Sequence, residues 1–553
     1  MSRDPSAATA ERELVIAVFD DPQTCDPHVA YETSSRHVIL NVYESLLGYD
    51  EERRRVTPRL AINVPKPVRT RDAVSYQFRI RDDVPTHRGP LLTVDDVVYS
   101  LRRAIITAAE PSSLWLEPLL GRRIERPTPD HLGAACERIR AADGGVVITL
   151  ARRFPPFLFL VAHWSLVLPR AWAIEQGEWD GDLKTIREFA HRPVTRLADR
   201  ANGTGPFMLE RWDPAARVLR FRRHERHWAG RASVERVLLV SNDDDSARER
   251  ALIDGAADLS VCQMESRKRF QKTPGIVVKD LPNEWHLNPL GYLGQRLAPD
   301  CEEVGSGRFD EHGLLPNALA DRDLRRALAL SFDYHTFIEE ALGGRAERQF
   351  GPFPRPALPR GPVPAYEFDL AEARRVLERA WGGAVASGGC LLIAYTHDTN
   401  RARVLAAHTL ADGFNRLHPR CRMEVREVPH ARLLDLLYAG RCPVAWSGWA
   451  GDYPHAHAFA APLLAPEGKL TRSLGIDLPA VGRLLEQALS ASTTLGAQAA
   501  YRALAELAIR EHTHLFVPAK PSYLAYRARW RGVRCRDGLA NVLDFSSFAR
   551  VPA

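Results

Sequence analysis

Several groups of side chains in this sequence are of types that can do chemistry. The densest is the run from Trp446 to Pro454, in which Trp446, Trp449, Asp452 and Tyr453 fall within eight residues. A carboxylate there can meet a cation or move a proton. Before Tyr453-Pro454 it can equally be a turn acid. Each indole offers a broad apolar face and one N–H donor, which suits a binding wall or a core. His455 and His457 follow directly, and His512 and His514 form a second such pair. On a strand an H-x-H pair sends both rings to one side, the beginning of a transition-metal site. No third ligand stands at a readable spacing, so no metal is expected. Asp243-Asp244-Asp245 has no calcium-loop spacing and reads as a solvated turn. Gly203-Thr204-Gly205-Pro206 lacks the Lys-Ser/Thr ending of a phosphate loop and reads as a tight turn. No G-x-S-x-G or H-E-x-x-H phrase is present. The expectation is therefore no cofactor and no enzyme. A catalytic alternative would have to draw its acid and base from Asp452, Glu32 or the His455–His457 pair.

These residues need elements to hold them. Leu14 to Phe19 is an apolar run stopped by Asp20-Asp21-Pro22, which predicts a strand. The pattern predicts a helix over 34–47, a strand over 74–80, and a helix capped by Thr93 with Asp95 and Asp96 in its first turn. Strands follow at 146–150, 218–222 and 234–240. The apolar spacing predicts helices over 324–342 and 370–381, each ended by paired glycines. Strands at 391–395 and 423–428 flank a helix at 401–417, a βαβ-like unit. Helices at 481–489 and 497–510 and a strand at 514–517 complete a mixed α/β pattern.

Composition narrows the classes. At 553 residues the chain is too long for one core, and two to four packed units are expected. With 45% apolar and 26% charged residues it is an ordinary soluble composition. The net charge of +6 is small, and its arginines are interleaved with acids, so no nucleic-acid partner is expected. Eight cysteines contain no C-x-x-C pair, and their spacing fixes no disulfide. No stretch reaches the roughly 18 to 20 apolar residues of a membrane span. Residues 1–13 are polar, carry no apolar export core, and are expected to be a flexible N-terminus.

The order of certain phrases carries a resemblance. LVIAVFDDPQTCDPHVAYETSSRHVILNVYESLLGYD is similar to the opening of family 5 solute-binding proteins, the peptide-binding group of ABC transporters. YQFRIRDDVPTHRGPLLTVDDVVYSLRRA, NGTGPFMLERW, LRRALALSFDYHTFIEEALGG, FDLAEARRVLERAWGG and WAGDYPHAHAF resemble that family's later phrases, in the same order from Leu14 to Phe459. Ala450 stands where relatives can carry a cysteine, so their disulfide does not transfer. The polar stretch 291–313 also departs from the family pattern, which marks an insertion or an altered contact.

The resemblance implies an α/β, two-lobed periplasmic-binding-protein fold (Venus-flytrap, type II, cluster C) with an extra α+β domain. Lobe I would be discontinuous, 14–50 plus 197–283 plus 518–553. Domain II would fill 51–196 and lobe III 284–517. Function, on the same footing, would be capture of a peptide or peptide-like solute between lobes for presentation to ABC permease subunits. The protein would be a monomer in the periplasm or at the cell surface, with a cytoplasmic ligand sensor as the alternative. Asp452 would pair with the ligand's ammonium group, Trp449 and Tyr453 would lie beside it, and Tyr31, Glu32, Thr33 and Trp115 would supply further contacts. The position of a partner for the ligand carboxylate varies among relatives and is left unassigned.

Overall fold

The computed structural model describes residues 13–552 apart from 72, 125, 191, 193, 194, 282–284, 347, 360, 362, 520, 521 and 537–541. Of the expected flexible start, only Glu13 lies within it. The chain divides into two compact units, Met1–Leu281 with Tyr523–Ala553, and Pro282–Ser522.

The first unit contains β1 (Glu13–Val18), α1 (Thr33–Val42), the paired strands β2 (Leu47–Asp50) and β3 (Arg55–Pro58), α2 (Val94–Ile106) and β4 (Arg236–Ser241). β1 is buried because both its faces are apolar. It lies parallel to β4, with Leu14 opposite Val237 and Ile16 opposite Leu239, at the centre of a seven-stranded sheet. The stretch 51–196 clusters within this unit and carries its own four-stranded sheet, ordered Val68–Arg69, Val74–Arg79, Gly145–Leu150, Ile139–Ala142. Phe78, Trp115, Phe154 and Phe157 fill the core beside it.

Two local outcomes have clear causes. α1 ends at Val42, five residues before the apolar pattern does, because Tyr43 turns extended and Ser45 Oγ bonds the carbonyls of Leu47 and Ala162. Leu46 and Leu47 are buried all the same, as the approach to β2. The glycine turn packs against the end of α1: a Cβ at Gly203 would lie 2.2 Å from the Val42 carbonyl oxygen. Close backbone approach, and not phosphate binding, explains that glycine. Thr93 caps α2 as its spacing predicts, with a reciprocal bond between Thr93 and Asp96.

The second unit contains β5 (His286–Leu293), α3 (Arg322–Ser331), β6 (Cys390–His397), α4 (Arg401–Asn415), β7 (Cys421–Val428), β8 (Val444–Ala450), α5 (His457–Leu464) and β9 (His514–Leu515). Its sheet is ordered β7–β6–β8–β5–β9. β6 is parallel to both β7 and β8, while β5 runs antiparallel to β8 and β9. The helix expected over 324–342 is broken. α3 stops at Ser331, and Asp333 accepts from the Thr336 N–H to start a new turn. That side chain offers the backbone an alternative to continuing the helix. The stretch 291–313 finishes β5 with buried Tyr292 and Leu293, then forms the strand Gly305–Asp310 that bridges back to Gly313. Among the described residues no helix is long and apolar enough to cross a membrane.

One ion cluster ties the first unit together. Arg103 of α2, fully buried, reaches Asp26 at 2.6 Å and Glu178 at 2.7 Å, with His28 Nδ1 at 2.9 Å. The Arg103 charge holds the Asp26 carboxyl below its ordinary range despite complete burial. Arg103→Met would strand two buried carboxylates, so it is expected to cost about 3–5 kcal/mol. Urea unfolding of the variant checks this, and an unchanged midpoint would show that the network is solvated.

Candidate functional site

In an open α/β sheet the carboxyl ends of parallel strands form the edge where loops converge. In the second unit that edge collects the ends of β6 and β8 and, because β5 runs the other way, the start of β5. His286 is opposite Ala450 and Leu287 opposite Trp449, which fixes the register there.

Leaving β8, Gly451 donates to the Trp285 carbonyl at 2.8 Å, and a Cβ on it would strike the Phe459 ring at 2.6 Å. Asp452 follows, 9% exposed. Tyr453 is buried, and its hydroxyl lies 2.9 Å from His457 Nδ1 on α5. Trp449 is half-buried and donates its indole N–H to the Ala458 carbonyl at 2.9 Å. Trp446, three residues earlier, is fully buried with its ring 5.8 Å from Phe332. Trp446 is thus a core residue, while Trp449 keeps part of its surface.

Leaving β6, the turn His397 to Asn400 leads into α4, and the Asn400 side chain accepts from the Arg403 N–H at 3.3 Å. Thr399 Oγ1 lies 3.0 Å from His397 Nε2, and the rings of His397 and His430 stack at 4.8 Å. Arg403, in the first turn of α4, donates Nε–H to Asn288 Oδ1 at 3.0 Å. Its Nη2 would lie 3.0 Å from a Cβ at Gly448, next to Trp449. Loss of water pulls the Arg403 guanidinium down to about 10, with only the Tyr292 phenol opposing. Among the described residues no carboxylate lies within salt-bridge distance of it. A cation at the positive end of a helix, short of water and of a counter-ion, is an open position for an anion.

The structure therefore brings Trp449, Asp452 and Tyr453 together at one sheet edge and adds Arg403. The remaining expected residues belong to the first unit. Tyr31 is half-buried with its ring 5.8 Å from Trp164. Glu32 accepts from Gln23 N–H at 3.1 Å, from Tyr31 N–H at 3.3 Å and from the Ser35 hydroxyl, so both its oxygens serve its own loop. Thr33 is exposed at the start of α1. Trp115 is fully buried with Phe157 edge-on at 6.5 Å, a core position in place of the cleft-facing aromatic that the resemblance implies. Among the histidines, His457 N–H donates to His455 Nδ1 at 3.1 Å, and His514 Nδ1 lies 3.0 Å from Thr513 Oγ1. Among the described residues no group of three or more His, Cys, Asp or Glu is placed to hold a metal ion. Sequence reasoning missed Arg403, although its place just after the first strand of the βαβ-like unit was a usable signal.

A family model described as "Bacterial extracellular solute-binding proteins, family 5 Middle" matches residues 55–470. The chain is similar to protein XP55 of Streptomyces lividans, 26% identical over 383 residues, which cover 69% of this chain and 59% of that protein. It is 22% identical over 528 residues to the periplasmic murein peptide-binding protein MppA of Escherichia coli (strain K12), covering 93% and 88%. Among solved structures, the oligopeptide-binding protein AppA of Bacillus subtilis in complex with a nonapeptide superposes with a TM-score of 0.76. It is 16% identical and covers 98% of this chain and 99% of that one, a likeness of fold.

His397 reports the dryness of this edge. Burial first, then the charges of His430 and Arg403, lower it from 6.5 to about 4. With the folded value below the unfolded one, the neutral ring contributes stability that is whole above pH 6.5 and is lost as pH falls toward 4. Histidine NMR should find this ring titrating near pH 4. Titration near 6.5 would mean that water reaches it freely.

Proposed function

The chain belongs to the bacterial extracellular solute-binding proteins of family 5, and from that premise we propose that it is the solute-capturing component of an ABC importer, taking a peptide or peptide-like molecule. It acts by binding and not by turnover. The observation that carries the reading is the pairing of opposite charges on one sheet edge. Asp452, almost wholly buried, follows β8, and Arg403, without a carboxylate partner among the described residues, follows β6. A zwitterion with an ammonium at one end and a carboxylate at the other presents an opposite charge to each. The half-buried face of Trp449 offers apolar surface for what lies between them.

The names of relatives agree with this ligand class. MppA of Escherichia coli is a murein peptide-binding protein, and AppA of Bacillus subtilis was solved with a nonapeptide. The expected location is the periplasm or cell surface, where the membrane subunits of an importer would meet it.

Thermal-shift titration with di-, tri- and tetrapeptides tests the proposal, since a ligand bound only by the folded state raises the melting temperature by mass action. Asp452→Asn keeps the shape and removes the charge. Each charge-assisted bond is worth about 1.5–3 kcal/mol, so affinity for peptides with a free amino terminus should fall by roughly 10- to 150-fold. Arg403→Met should weaken the same peptides comparably, and should matter little for peptides amidated at the carboxyl end. Equal affinity of wild type and Asp452→Asn would refute the ammonium pairing.

A further inference from the structure

The first unit holds a cavity of about 220 Å³ that has no part in the reading above. It lies against β2 and β3, and its wall includes three arginines, Arg59, Arg534 and Arg536. Two carboxylates stand near them, and both are already committed. Glu44 accepts from Thr204 Oγ1 and Trp228 Nε1 at 2.9 Å each, and from Arg59 Nε at 3.2 Å, with His227 Nε2 at 3.3 Å. Asp544 Oδ1 takes the Ser546 hydroxyl at 2.6 Å and N–H at 3.2 Å, while Oδ2 takes Arg534 Nη2 at 3.1 Å.

Arg536 is left over. Its side chain is 12% exposed, and its Nη2 reaches Asp544 Oδ1 only at 3.3 Å, an oxygen that Ser546 already uses. Its other contact, Asn41 Oδ1 at 3.3 Å, is shared with the Phe545 N–H at 3.0 Å. The buried Nε–H has no acceptor among the described residues. Three guanidiniums thus face two carboxylates, and the guanidinium most removed from water has no oxygen of its own. Desolvation, with Arg59 and Arg534 adding repulsion, depresses the Arg536 pKa below the usual arginine value against the pull of Asp544. An unpaired buried polar group of this kind costs free energy unless something occupies the space before it.

We propose that this cavity binds a small oxyanion, a phosphate or carboxylate group whose oxygens accept from the Nε edge of Arg536, with Arg59 and Arg534 neutralising the remaining charge. Guanidinium groups present two N–H bonds side by side, which suits a pair of oxygens on one ligand atom. Tyr43, Tyr49 and Leu166 on the wall can accommodate a small carbon body.

The test is melting of the full-length protein in sodium phosphate, sodium acetate and sodium chloride at matched ionic strength. The expected result is a saturable upward shift with phosphate or acetate beyond that with chloride. A shift with phosphate alone assigns a tetrahedral anion, and one with acetate alone assigns a carboxylate. Arg536→Met should weaken the midpoint concentration at least 10-fold while the response to peptides is unchanged, which separates this site from the solute site. Should that variant not fold, Arg534→Met, at a side chain 60% exposed, should still weaken it several-fold. No shift beyond chloride, or the same midpoint in wild type and the folded variant, overturns the proposal.

Discussion

Parallel pairing of β6 with β8 is the constraint from which the second unit's chemistry follows. Two strands that run the same way must be joined by a crossover, and here α4, β7 and the helix His430–Tyr438 make it. Whatever leaves the strands at their carboxyl ends then arrives at one edge, however far apart it is in sequence. Arg403 and Asp452 are 49 positions apart in the chain and share that edge only for this reason. The antiparallel β5 adds Asn288 to the same place, where it steers the Arg403 guanidinium.

Topology gathers the residues; loss of water gives them their force. A guanidinium in bulk solvent binds a carboxylate weakly, because both partners surrender strong hydration. Arg403 has surrendered part of its hydration already, in folding, and the stacked His397 and His430 beside it stay neutral for the same reason. The free energy spent on placing these groups comes from the remainder of the unit, from such packing as Trp446 on Phe332 beneath the edge.

Much of this was legible beforehand, and the boundary between what was and was not is physical. Signals that act over a few residues read true: the Thr93–Asp96 cap, the apolar run of β1, and the alternation of β-strand and helix around α4. The phrase around Asp452 could also be singled out, because a dense local grouping is visible without a fold. Local apolar pattern misled where a side chain offered the backbone another partner, at Ser45 after α1 and at Asp333 after α3. Trp115 illustrates a different limit. A tryptophan's sequence surroundings do not say which of two apolar environments it faces, and Phe157 claims it for the core. Arg536 was invisible for the plainest reason, and Arg403 was marked only by its place after the first strand of the βαβ-like unit. In a chain with 75 lysines and arginines, nothing local distinguishes a desolvated cation from a solvated one.

The same contrast separates a buried charge that is well matched within its own unit from one that is poorly matched. Arg103 is the more deeply buried, yet it faces two carboxylates, and Asp26 alone accepts from two of its nitrogens, at 2.6 and 2.8 Å. Its charge is matched by groups of the same unit, so a ligand could only compete with bonds already made. Arg403 and Arg536 are less buried and poorer in partners, holding amide oxygens and a carboxylate oxygen shared at 3.3 Å. Folding tolerates such a group only while its cost stays below what surrounding packing supplies. The deficit is then available to any molecule that brings the missing oxygens, since that molecule forms the bond without first breaking one. Depth of burial therefore does not set Arg403 and Arg536 apart from Arg103; the carboxylates that meet Arg103 at 2.6–2.8 Å do.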